Sequence, residues 1–210
     1  KLFLNNVIIT VIGIVGIIIF SSMSAYIISR KKNKYTRFAQ FMITTPMLIP
    51  FQTIMITLLK VMNVVNLSGS KVGLGIQYWG FGIPMAAFIY GNFMSTIPKE
   101  LDESAFIDGA GTFRTYRSII FPLLKSVTFT VIVIDVMWIW NDFLLPLLMV
   151  NSSNETKTLV LSAYTFVGQF NTQWHYAMAA MVLAVLPSII IFIFLQKYIV
   201  EGVVAGAVKG

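Results

Sequence analysis

The charged residues of this chain are confined almost entirely to short gaps between long apolar runs, and those runs decide what it can fold into. Five can be delimited: Leu2–Ser29, Phe38–Leu59, Val72–Pro98, Ser126–Val150 with Asp135 and Asp142 inside it, and Thr158–Gln196 with one histidine. Each is long enough to cross a hydrocarbon core of about 30 Å, which takes roughly 20 helical residues at about 1.5 Å each. None alternates with a two-residue period, so the spans are expected to be helices, which satisfy their backbone groups internally in lipid, and not strands. Composition agrees: 57% of the 210 residues are hydrophobic and 11% charged, against about 25% charged in a soluble domain. A water-soluble globule is excluded, and the expected fold class is an all-α, polytopic integral membrane bundle. The fifth run is too long for one crossing. Its first half, YTFVGQFNTQWH, reads as an external segment leading into a helix from about Tyr176 to Leu195. The first run is too long for a signal-peptide core and lacks a basic flank before it, so cleavage is not expected.

Direction follows from the basic residues. Eleven of the fifteen lie in one set of gaps, Arg30 to Arg37, Lys99 to Lys125, and Lys197 with Lys209; the other set holds Lys1, Lys60, Lys71 and Lys157. The richer set is expected in the cytoplasm, which puts the amino terminus outside and the carboxyl tail inside. The net charge of +7 is therefore read as membrane orientation; a nucleic-acid partner would need a solvated basic face. Tyr78, Trp79, Trp174, Tyr176 and Tyr198 fall near the expected interfaces, as an aromatic belt would place them. Pro46 and Pro50 are expected to kink the second span. No cysteine is present, which removes disulfides, thiolate metal sites and thiol catalysis. His175 has no second imidazole to share a metal, and reads as an interfacial residue.

The longest cytoplasmic gap, residues 98–122, has a plan. Pro98 suits the first turn of a helix, Glu100, Asp102 and Glu103 suit its amino-terminal dipole, and the helix runs to about Asp108. Gly109 suits a left-handed helix stop, Ala110-Gly111 extends the break, and Thr112 is placed to cap a second helix running through Arg114 and Arg117 toward Pro122. A helix, a glycine turn and a helix outside the bilayer, tethered at both ends by spans, is a shape for pressing into a partner. A solvated connecting loop is the plain alternative.

The wording of this loop adds to the physics. Glu103-Ser104-Ala105, three residues, Gly109, nine residues, then Ile119-Ile-Phe-Pro122 resembles the E-A-A-x3-G-x9-I-x-L-P motif of importer-type ABC transporter permeases. Ser104 and Phe121 are the two departures, and Asp108-Gly109 is a pair common in that motif. WNDFLLPLLMV, Trp140 to Val150, is similar to a segment of the fifth helix in carbohydrate permeases. The stretch from Lys157 through the terminal GAVKG is similar to the last external loop, last helix and tail of the maltose-type permease class. That family usually has six spans. Five are counted, so the resemblance implies that a first span is missing.

What the resemblance implies is a bacterial cell-membrane permease subunit importing a carbohydrate, of di- or oligosaccharide size, delivered by an extracytoplasmic solute-binding protein. It implies a second permease subunit as a heterodimer partner and a cytoplasmic ATPase dimer that binds ATP and Mg. This chain has no G-x4-G-K-[ST] loop and so no phosphate cradle, cofactor or hydrolytic activity of its own. Residues 98–122 would be the coupling loop, with Glu103, Ser104, Ala105, Asp108, Gly109 and Pro122 its ATPase-coupling residues. Glu103 would offer a charge to the ATPase and Ala105 would permit its close approach. Residues 151–175 would be the external loop, meeting the binding protein through Asn151, Asn154 and Gln169, and residues 196–210 a cytoplasmic tail.

The only acids at membrane depth, Asp135 and Asp142, are spaced with Trp138 to share one helical face, and Asn141 lies beside it. Carboxylates, an amide and an indole are what a sugar path needs. A polar lock between neighbouring helices is an equal reading. Paired catalytic carboxylates are disfavoured, since seven residues put them about 10 Å apart along a helix with no nucleophile or metal site. An amino-acid or phosphate-ester permease and a membrane assembly factor without ATP coupling are the remaining alternatives.

Overall fold

The computed structural model describes residues 1–151, 155–167 and 173–207, with backbone alone for Leu195 and from Lys197 onward. Among the described residues every regular element is helical: α1 Leu2–Arg30, α2 Lys34–Thr44, α3 Phe51–Val64, α4 Lys71–Met94, α5 Glu100–Ile107, α6 Thr112–Thr115, α7 Phe121–Leu123, α8 Lys125–Asn141, α9 Leu144–Val150, α10 Leu159–Ala163 and α11 Trp174–Ala207. Short 3-10 turns cover Thr45–Leu48 and Tyr164–Phe166, and a π turn Tyr116–Ile120. Three helices, α1, α4 and α11 over Trp174–Phe194, are each long and apolar enough to cross a membrane; counting two broken helix pairs as single spans raises the number to five.

Each break has a chemical cause. The second span stops at Ile49–Pro50, where the proline has no N–H to continue a helix. The fourth is corrected from one helix to two. α8 ends at Asn141 because Pro146 cannot donate to the Asp142 carbonyl four residues earlier and crowds it. The freed turn is closed by the Asp142 carboxylate, which accepts the Leu144 amide at 3.1 Å. The run into Pro122 widens to a π turn, since Pro122 leaves the Ser118 carbonyl without its donor, and a 76° bend separates Thr112–Leu123 from α8. The last helix is longer than expected, starting at Trp174 and continuing to Ala207 through residues read as a tail.

Helix α1 has its polar residues on the inside. Asn5, Asn6, Thr10, Ser21 and Ser22 are buried, whereas Leu4, Val11, Val15, Ile19 and Ile27 are exposed. In water this order would be reversed; facing lipid, the apolar side belongs outside and hydrogen bonds hold the interior.

The contacts divide into two compact units. One comprises Lys1–Gly16, Ile49–Trp79 and Ile134–Phe194. Its core of Ile9, Leu74, Tyr78, Val150 and Leu161 is pinned by asparagines: Asn6 donates to the Trp140 carbonyl at 3.3 Å and accepts from the Leu159 amide at 2.9 Å, while Asn5 donates to the Glu155 and Lys157 carbonyls. Gly16 admits the Trp79 indole, whose Cε2 would lie 2.0 Å from an added Cβ, and that indole donates to the Ile12 carbonyl at 2.8 Å. Tyr78 is fully buried and Trp79 is seated against α1, so neither is a belt residue; Trp174 and Tyr176 are exposed as expected, and the Tyr198 side chain lies outside the described ones.

The other unit comprises Ile17–Leu48, Gly80–Val133 and the chain from Leu195. Ile17, Tyr90, Met94, Ile120, Leu124 and Val131 form its core, with Tyr90 donating to Thr128 at 3.0 Å. This unit carries the loop of residues 98–122.

Candidate functional site

The loop has the expected outline. α5 runs from Glu100 to Ile107, capped by Lys99 with Pro98 just before it, and Gly109 has φ +77°, the left-handed stop. Two details differ. Pro98 precedes the helix and is not in its first turn. Gly111 takes the cap position with extended backbone, so Thr112 begins α6 and makes no side-chain cap.

The three acids of α5 have different surroundings. Glu100 and Glu103 are exposed, while Asp102 is 5% exposed. Its carboxylate accepts the Tyr26 hydroxyl at 2.5 Å and pairs with the Arg30 guanidinium at 3.0 Å. Arg30 also donates to the Ile97 carbonyl at 3.1 Å, just before α5. Tyr26 lies against Tyr116, rings 5.5 Å apart, and Tyr116 shares a 2.7 Å hydrogen bond with Ser22. Ser22, Tyr26 and Arg30, successive at four-residue spacing along one face of α1, thus hold both arms of the loop. Sequence reading assigned Asp102 to the helix dipole and Arg30 to orientation, and missed their pairing.

Ala105 is buried within this chain, one turn from Asp102. Glu103, Ser104, Asp108 and Gly109 face outward, as does Pro122. So do three apolar side chains that sequence reading passed over: Phe106, Ile107 at 86% exposure and Phe113 at 63%. Their signal was present, since three bulky apolar residues in a charged, non-spanning loop have no reason to face water.

The polar face of α8 is brought together in part. Trp138 meets the Tyr78 ring edge-on at 5.3 Å, and Tyr78 donates to Asp142 at 2.9 Å. Asn141 donates to its own helix at Met137 and accepts from Ser188 at 3.4 Å. Asp135 is buried. Asp142 lies just past the helix, closing the α8–α9 break. The segment expected to be an external loop is less solvated than expected: α10 buries Leu161 and Ala163, and Thr158 caps it at the Leu161 amide. Asn151 is exposed; Asn154 and Gln169 lie outside the described residues. Lys1 pairs with Glu155 and holds its carboxyl below the usual range. Among the described residues no cluster of metal-ligating side chains occurs.

Residues 7–204 match the family described as binding-protein-dependent transport system inner membrane component. The chain belongs to that family. As a permease it is 42% identical, over 99% of its length and 75% of the relative's, to a probable starch degradation products transport system permease protein, AmyC, of Thermoanaerobacterium thermosulfurigenes. It is 35% identical, over 99% of its length and 76% of the relative's, to the multiple sugar-binding transport system permease protein MsmG of Streptococcus mutans. The permease fold also matches a bacterial ABC transporter involved in alginate import, at TM-score 0.79 and 22% identity over 94% of this chain and 74% of that one.

Proposed function

We propose that this permease is one of two membrane subunits of an ATP-driven importer for a carbohydrate, working by alternating access. The observation that carries the sugar is the 42% identity along nearly the whole chain to a permease named for starch degradation products. Support comes also from a 34% identical melibiose, raffinose and stachyose permease of Bacillus subtilis. A solute-binding protein delivers the substrate on the outer side, and the family resemblance assigns its contact to Asn151, Asn154 and Gln169. ATP and Mg are held by a separate cytoplasmic ATPase dimer, because this chain has no phosphate loop. The carboxyl terminus lies in the cytoplasm of a bacterial cell.

The coupling loop supplies the mechanical link. Phe106, Ile107 and Phe113 form an apolar contact, flanked by Glu103 and Asp108, that a cleft in the ATPase desolvates. Glu103 then sets register more than affinity. Asp102, anchored to Arg30 and Tyr26, passes the push to α1. In the bundle, Asp135 and Trp138 face the path, while the Tyr78–Asp142 hydrogen bond favours a bracing role for Asp142, and the Asn141–Ser188 bond does the same for Asn141.

The deciding experiment is purification from native membranes in mild detergent, followed by ATP hydrolysis assays with candidate sugars and their binding protein. A second permease and an ATPase should copurify, with hydrolysis stimulated by one loaded binding protein. Recovery of the chain alone would overturn the reading. Glu103→Lys should lower the yield of copurified ATPase, and an unchanged yield would remove Glu103 from the contact.

A further inference from the structure

A cavity of about 430 Å³ opens among the ends of α1, α2 and α4 and the segment before α5. Its size falls within the roughly 300–1,000 Å³ of small-molecule sites. Arg30, Lys32, Arg37 and Lys99 line it, and no lining residue is acidic. Arg30 is committed to Asp102; the other three bring positive charge with no carboxylate in the wall to balance it.

The lining is graded along each helix. On α1, Ala25 and Ile28 precede Arg30; on α4, Ala87 and Phe88 precede Asn92, with Ser95 and Lys99 beyond its end. α2 runs the other way, with Thr36 and Arg37 before Gln40 and Ile43. Arg30 bonded to Ile97 places the ends of α1 and α4 side by side, so all three sequences put cations at one end and apolar residues at the other. On α2 the residues that line the cavity are Thr36, Arg37, Gln40, Ile43 and Thr44, while Phe38 and Phe41 are exposed and do not line it. Gly91 also lines the cavity, and an added Cβ there would meet nothing within 4 Å.

We propose that this cavity binds an anionic phospholipid, its phosphate among Lys32, Arg37 and Lys99 and the start of an acyl chain along Ile28, Ile43 and Phe88. A cationic pocket between spans at headgroup depth is the arrangement that selects acidic lipids, and the apolar end distinguishes a lipid from a free anion.

The test uses the intact purified transporter complex, offered equal amounts of phosphatidylglycerol and phosphatidylcholine, with retained lipid read by native mass spectrometry. The wild type should retain phosphatidylglycerol preferentially, and Lys32→Gln with Arg37→Gln should reduce that preference about thirty-fold. Gly91→Phe, which keeps every charge and fills the cavity, should abolish retention, whereas Lys60→Gln, on an exposed lysine outside the cavity, should change nothing. No preference in the wild type would overturn the proposal without any variant. So would a preference that survives both Gly91→Phe and the double substitution. Displacement of the lipid by millimolar inorganic phosphate would assign the site to a free anion and overturn the lipid reading.

Discussion

Asp102 decides how the loop of residues 98–122 is held, because it is a buried carboxylate with one cation and one hydroxyl beside it. Removing one partner of such a pair leaves the other charged and buried, at a cost of about 3–5 kcal/mol, whereas replacing both with apolar residues of similar size is often near neutral. Asp102→Leu and Arg30→Met should therefore each lower the melting temperature of the purified complex sharply, and the double variant should recover much of the loss. Equal damage in singles and double, with no coupling between them, would show that the pair does not hold the loop. The sequence made Asp102 visible as an acid but not as a buried one. Glu100, Asp102 and Glu103 look alike in a helix's first turn, and what separates Asp102 is the Tyr26 hydroxyl, 76 positions away. The same limit hid Tyr78: an aromatic near a span end reads as a belt residue until its partner, Asp142, is known.

Among the elements, those with local causes were legible and those set by distant packing were not. The helix–glycine–helix loop, its stop at Gly109 and the break at Pro50 follow from proline and glycine chemistry within a few residues. The split of the fourth span at Asp142 was also local, in Pro146, yet the apolar residues on both sides of Asn141-Asp142 concealed it. The packing of α10 was not legible, since Leu161 and Ala163 are covered only once Asn6 of α1 has tied down the Leu159 amide. Gly109 offers the test at this scale. Its φ of +77° costs an ordinary L-residue roughly 1–2 kcal/mol, and open space around it means that any effect is backbone strain and not a clash. Gly109→Val should uncouple sugar uptake from ATP hydrolysis with the protein still in the membrane, while Gly109→Asn, which tolerates the left-handed region, should retain most coupling. Normal uptake in the valine variant would count against the turn as a coupling element.

For the whole molecule, burial separates the spans by what must cover them. α1 and α4 bury 39% and 44% of their apolar windows inside the chain, but α11 buries only 17%, leaving Val182, Ile189, Ile190 and Ile193 outward. In water that surface would drive aggregation; in a bilayer it faces lipid or the second permease. Because the chain has no cysteine, single cysteines report this directly. Val182→Cys and Ile189→Cys should react slowly with a membrane-impermeant maleimide from either side. Ile107→Cys, at an exposed position on the coupling loop, should react only from the cytoplasmic side and become protected when the ATPase is present. Glu155→Cys should react only from the outside. Labelling of Ile107→Cys from the outside would invert the orientation read from the eleven clustered basic residues, and cytoplasmic labelling unaffected by the ATPase would leave the exposed Phe106, Ile107 and Phe113 without the partner that their exposure calls for.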